Sequence, residues 1–400
     1  MKNSKLYILV VILFLINTVF SSCEKPFGDK TDIGFIEVPV YDNNVIAFVP
    51  IQPAFQGLQN PVDIVAGYDE LIYVADQSAE KIIAYDKSGI VQGELTIKGI
   101  KSIAQDRSLE LLALGTRDTI INSQKFTVDA IYRINLQGSA YGLRSARIKK
   151  IVLHPFYFKT SFTTADTAVH LNRLSIMADN SYYVTRSGPS NNPNQLGGPD
   201  DAVLLFNTQD KFISTLNVNT EQGLISDYFK KPFSISTLAK APQSNSVKIG
   251  GDFLFTSIDV NTAIKTQYIR FESNENGASY SLNQSLNTND SSKAEGFIYT
   301  PNRFINPKGI TIAGDGTNYI FISDAKNDSI YLFTLSGLEG VDAPASSVSR
   351  KNINVSFGGT GAGPTQFNKP GSMAYNDKIL YVCDSRNGRI SRFKLTTDFQ

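Results

Sequence analysis

The chain has 400 residues, with 38 Lys and Arg against 37 Asp and Glu, 42% hydrophobic and 19% charged residues, 25 Phe and 18 Tyr, but only two Cys and two His. This folded, aromatic-rich, nearly neutral composition excludes bulk disorder, a strongly basic nucleic-acid binder, a disulfide scaffold and a multi-histidine metal centre. The length exceeds the roughly 250–300 residues at which one hydrophobic core stops growing, so it demands two domains or a repeat.

At the start, Lys2 and Lys5 precede the apolar run Leu6 to Phe20, and Ser21-Ser22 stand directly before Cys23. Residues 1–22 therefore read as a secretory signal peptide. The Ser-Ser-Cys end resembles the lipobox of bacterial lipoproteins, and the composition resembles lipoproteins of the Bacteroidetes. That resemblance implies lipidation of Cys23, residues 23–32 as a tether, and an address at the bacterial cell envelope, expected at the outer membrane. Acyl chains anchor a protein without spanning the bilayer. Removal of Lys2 and Lys5 with the signal leaves 36 basic and 37 acidic residues, a net charge of −1. Cys383 is then the single thiol, so no internal disulfide can form, and its small, apolar setting predicts a buried, inert side chain.

Residues 33–400 read as a repeat. Three segments align directly: Asn60-Pro61 leading to Ile72-Tyr73-Val74-Ala75-Asp76, Asn306-Pro307 leading to Ile320-Phe321-Ile322-Ser323-Asp324, and Lys369-Pro370 leading to Leu380-Tyr381-Val382-Cys383-Asp384. In each, Ile follows the Asp by six residues and an aromatic by nine. Continuous apolar runs fit strands covered on both faces, and Pro, Gly, Asn and Asp supply the turns. Weaker third-strand copies place anchors at Tyr85, Ile134, Phe206, Phe271, Phe333 and Phe393, about 62 residues apart on average, which gives six units. The expected fold is all-β, a six-bladed β-propeller with four-stranded blades. An N-terminal strand, from Ile33 to Val40 or Asn44 to Ile51, is expected to complete the last blade. Asp76, Asp324 and Asp384 are expected to accept backbone N–H groups at turns.

The last copy carries a G-rich lead from Phe357 to Gly363, then Gln366-Phe367-Asn368-Lys369-Pro370 and Val382-Cys383-Asp384-Ser385-Arg386-Asn387-Gly388-Arg389-Ile390. It resembles the NHL repeat of six-bladed propellers. The resemblance implies that loops joining second to third strands, and those crossing between blades, share the ligand-binding face. Long stretches expected there are Thr116 to Asp129, Arg186 to Asp201, and crossovers around His154 to Asn172, Ser279 to Asn306 and Gly340 to Asn368.

On that face Arg186, Asp201, Tyr228, Arg303 and Arg386 are the candidate binding residues, since arginine reads carboxylates, phosphates and sugars by paired bonds. Two histidines cannot form a three-His zinc site. His154, His170 and Asp166 could form a smaller one, and oxygen ligands in the central channel could hold calcium or magnesium. No catalytic residue is assigned. The expected role is a non-catalytic binding or scaffolding module for a protein, peptide or glycan, with no nucleic-acid partner. The alternative is an enzyme resembling propeller lyases or lactonases with an oxygen-liganded divalent metal.

Overall fold

Proline lacks an N–H and sits in a sheet only at an edge, a bulge or a strand's first residue, so the Asn-Pro and Lys-Pro pairs at Pro61, Pro232, Pro307 and Pro370 mark strand starts. The computed structural model describes residues 46–188, 201–241, 250–275, 277–344 and 350–399. Its strands Pro61–Ala66, Pro232–Thr237, Pro307–Ile312 and Pro370–Asn376, with Ser102–Gln105 and His170–Ile176, are the first strands of six sheets. Each packs on the first strand of the next sheet, and the last returns to the first. The sheets therefore close radially as a six-bladed β-propeller.

Burial peaks in the second strands and falls towards the rim. The second strands Ile72–Asp76, Phe253–Ser257 and Ile320–Asp324 are buried along their whole length, because neighbouring blades cover both faces. All six anchors lie in third strands: Lys81–Tyr85, Gln124–Asn135, Ala202–Phe206, Thr266–Asn274, Ser329–Phe333 and Arg389–Leu395. Outer strands such as Val91–Thr96 are largely exposed. Closure follows the expected route, since Phe48–Phe55 pairs antiparallel with Arg389–Leu395 as the outer strand of the sixth blade.

Two features depart from the simple repeat. Blade four keeps its four antiparallel strands and gains a hairpin of Val218–Thr220 and Gly223–Ile225, with Val218–Thr220 running parallel to the outer strand Gly277–Leu282. The turn is closed by Gly223 at φ +103°, a conformation costly for a side chain. In blade two, Thr116 to Asp129 is not a loop but the continuation of a hairpin, Leu111–Ile121 against Gln124–Asn135. The signal segment, Cys23, the tether and Ile33 to Val40 lie outside the described residues.

Candidate functional site

In five of six blades the first strand slips register against the second just after its start. A bulge takes residues out of the ladder and re-aims them. Those displaced include Val62, Asn172, Arg173, Phe233 and Lys308, beside the axis on the face of the crossovers. Glycine follows Lys308 for a steric reason, since a Cβ on Gly309 would stand 2.5 Å from the Gly371 carbonyl oxygen.

Neighbouring blades share no backbone ladder at the axis, so buried polar groups there need other partners. Short side chains supply them at every seam. The Asp63 carboxylate of blade one accepts from Ser102 Oγ (2.6 Å) and Ile103 N (2.9 Å) of blade two. Ser102 Oγ accepts from Leu174 N, Ser175 Oγ from Thr237 N, and Ser234 Oγ from Ile310 N. Ser323 Oγ donates to Gly371 O and Ser385 Oγ to Pro61 O, completing the circle.

The remaining axial channel is about 50 Å³ and is lined by first-strand residues from all six blades. Arg173 fills its crossover end: the guanidinium donates to the carbonyls of Val62, Lys101 and Asn172, each at 2.8–2.9 Å. It also lies 3.9 Å from Asp63 and stacks over Phe233 at 4.9 Å. Lys240 lines the channel too, and burial pushes it down to about 8 against the opposing pull of Asp63. Calcium and magnesium require a cage of oxygens. Asp63 is the one carboxylate among the described lining residues, both its oxygens are bonded, and no three His, Cys, Asp or Glu groups converge among the described residues. The channel residues do not fit such an ion.

The strand-ending aspartates tie crossovers to turns. Asp76 accepts from the N–H groups of Gln59 and Asn60, and Asp324 from those of Ile305 and Asn306. Asp384 accepts from Asn368 N, Asn387 Nδ2 and Arg389 Nε, all at 2.8 Å. Cys383 is buried and free, and burial raises its thiol well above the ordinary value.

The residues expected to bind a ligand fare differently. Arg186 is wholly buried, so it does not face solvent as expected; spacing along the strand gave its end of the blade, not the direction of its side chain. Asp201 accepts from Lys231 N at 2.8 Å, and burial raises its carboxyl. Tyr228 donates to Gln267 at 2.6 Å and is pushed up to about 12 by burial. Arg303 pairs with Glu339 and stacks on Tyr331. Arg386 is exposed. Residues 189–200 of the Arg186 to Asp201 loop lie outside the described residues. His154 and His170 do not share a site in the pattern expected: His154 is buried 4.0 Å from Asp166, while His170 is exposed and 3.9 Å from Asp129.

A second opening was invisible in the repeat. The extra hairpin contributes Asn219 and Leu224 to a cleft of about 1130 Å³ lined by the outer parts of blades three and four. Its walls include the amides of Asn207, Asn217 and Asn219, the hydroxyls of Ser214 and Ser279, and the half-buried ring of Phe271. Asp179 is the single charged residue among the described lining residues. Amides donate and accept together, which suits a hydroxyl- or amide-rich ligand.

No protein-family model matches the chain, and no curated protein matches it in sequence. Solved structures do resemble it. A PQQ-bound aldose sugar dehydrogenase from Streptomyces coelicolor aligns at 11% identity over 88% of this chain and 98% of that one, with a TM-score of 0.50. A Bacteroides thetaiotaomicron protein of unknown function aligns at 11% identity over 88% of this chain and 76% of that one, also at 0.50. An auxiliary nutrient binding protein from Bacteroides thetaiotaomicron reaches 0.47 at 12% identity, over 89% and 74%. The shared property is the propeller fold. At such identities fold and activity are separable.

Proposed function

We propose that the chain is a cell-envelope lipoprotein, anchored through Cys23, whose NHL-like propeller is a non-catalytic binding module for a glycan or peptide. The observation that carries the binding role is the cleft between blades three and four. It is lined in part by a hairpin the repeat does not need, and its volume suits a ligand site. Its walls carry three amides and a single charge, Asp179, among apolar side chains, which favours an extended ligand with both polar groups and apolar faces, with Phe271 as the stacking surface.

Titration calorimetry of the Cys23→Ser mature chain against neutral oligosaccharides and peptides tests this role. Binding that Phe271→Ala and Asn219→Ala each weaken about tenfold supports it; binding untouched by both substitutions, or none, removes the cleft as the site. Fractionation tests the anchor separately: Cys23→Ser should move the protein from membranes to the soluble fraction, and retention would sink the lipid attachment.

A further inference from the structure

Lys308 leaves the ladder of blade five at its bulge and lies half-buried at the axis with Nζ 3.8 Å from the Phe233 ring centroid. No carboxylate pairs with it among the described residues. Arg173 stands over the same ring, so two positive charges share one aromatic surface. Its Nη atoms are spent on backbone carbonyls, and its Nε lacks a hydrogen-bond partner. The carboxylate beside Arg173, Asp63 at 3.9 Å, is already bonded across the seam to blade two. Burial, reinforced by repulsion from Arg173, pushes Lys308 down to about 8.

Even a half-buried cation without a counter-ion carries a desolvation cost, and an entering anion reduces it. An ammonium contributes three donors and a point charge, enough to hold one oxyanion. We infer that the crossover-face mouth of the axis is an oxyanion site, in which Lys308 contacts a carboxylate or phosphate group and Arg173 adds the second positive charge. This site is separate from the rim cleft, and either can fail without the other.

The test is calorimetry and thermal melting of the Cys23→Ser mature chain at low ionic strength. Sodium phosphate and sodium glucuronate are titrated as the two oxyanion sources, with sodium chloride at matched ionic strength as reference. Saturable binding of one or both oxyanions is expected; which one binds tells phosphate from carboxylate. Lys308→Met should weaken it by about tenfold or more, Lys308→Arg should keep it, and Lys81→Met, on the rim beside Glu94, should leave it unchanged. Phe271→Ala should also leave it unchanged. Without added oxyanion, Lys308→Met should melt at or above the wild-type temperature, because an unpaired, half-buried charge is gone. The inference is overturned if neither oxyanion binds beyond the chloride reference, or if Lys308→Met or Phe271→Ala gives the opposite binding result. It is likewise overturned if Lys308→Met alone melts several degrees lower, which would make Lys308 a structural cation on Phe233.

Discussion

Arg133 of blade two grips Asp210 of blade three in a buried fork: Nε reaches both carboxylate oxygens at 3.0 and 2.9 Å, and one Nη reaches Oδ1 at 2.7 Å. The other Nη reaches Asp106 at 2.9 Å and Glu110 at 3.1 Å. Such a pair adds little net stability over apolar packing, yet breaking one side is expensive. Arg133→Met leaves Asp106 without a cation and Asp210 with only Lys150 at 4.0 Å among the described residues, and should cost about 3–5 kcal/mol in urea unfolding. Adding Asp210→Asn should recover part of that loss, since Asn tolerates the φ of 60° at this turn. A double-mutant cycle measures the coupling, and strictly additive losses would show that the fork is not a unit.

The spacing of the last copy also resolves into bonds. Arg389 donates to Asp384 and, at 2.8–3.0 Å, to the carbonyls of Ala362, Gly363 and Gln366, pinning the glycine-rich crossover. Asn387 links Asp384 to Gly361 O. Arg389→Lys should lose most of this, because an ammonium cannot fork, at a cost of about 2–3 kcal/mol. Arg386→Ala, three residues away and exposed, should change stability by less than about 0.5 kcal/mol. Denaturant midpoints of the two variants decide the matter, and equal values would contradict it.

These contacts explain what could be read from sequence. The strand-ending Asp recurs in blades one, five and six, where it ties each crossover to a turn, and a large apolar anchor recurs in all six third strands, so blade number and closure were legible. The site was less so. Bulges depend on backbone register, and Lys308 occupies the position where the first copy has Val62, a difference visible in the aligned Asn-Pro segments but without meaning until the slip aims it at the axis. Arg186 shows the converse: its spacing places it at the expected end of blade three, but the fold buries it completely, close enough to His154 to act on that ring. The hairpin at Val218–Thr220 and Gly223–Ile225 is too short for periodicity to separate it from an extended crossover.

Closure of the ring rests on the strand Phe48–Phe55. Phe55 stacks on Tyr85 of blade one at 5.0 Å beneath the Arg392 guanidinium at 4.9 Å, while Phe48 meets Phe357 and Phe321 of blade five at 5.6 and 5.9 Å. The strand thus holds the sixth blade to both neighbours. Phe55→Ala should cost about 3–5 kcal/mol, the range for a buried aromatic. Removing the chain through Phe55 should do more than destabilise. It uncovers the edge of Arg389–Leu395, and an unpaired edge recruits other strands. Size-exclusion chromatography should then show oligomers, and a monomer melting like the wild type would refute the role of this strand.

His154 provides a pH signature of the folded state. Its imidazole is fully buried, and burial, with the positive charge of Arg186 next, pushes it down to about 3 despite Asp166 at 4.0 Å. The folded protein therefore keeps this ring neutral while the unfolded chain protonates it below its ordinary value near 6.5. Because the unfolded state binds the extra proton, stability rises with pH between about 3 and 6.5; this contribution is intact above that window and is lost as pH falls through it. The wild type should lose about 2 kcal/mol from this group between pH 7 and pH 5. His154→Leu should remove that part of the slope, leaving Asp166 with its partner Lys159 at 2.9 Å. Unfolding midpoints of both proteins at the two pH values isolate the effect, because every other titrating group is common to them. Parallel losses in wild type and variant would mean that His154 does not resist protonation in the fold.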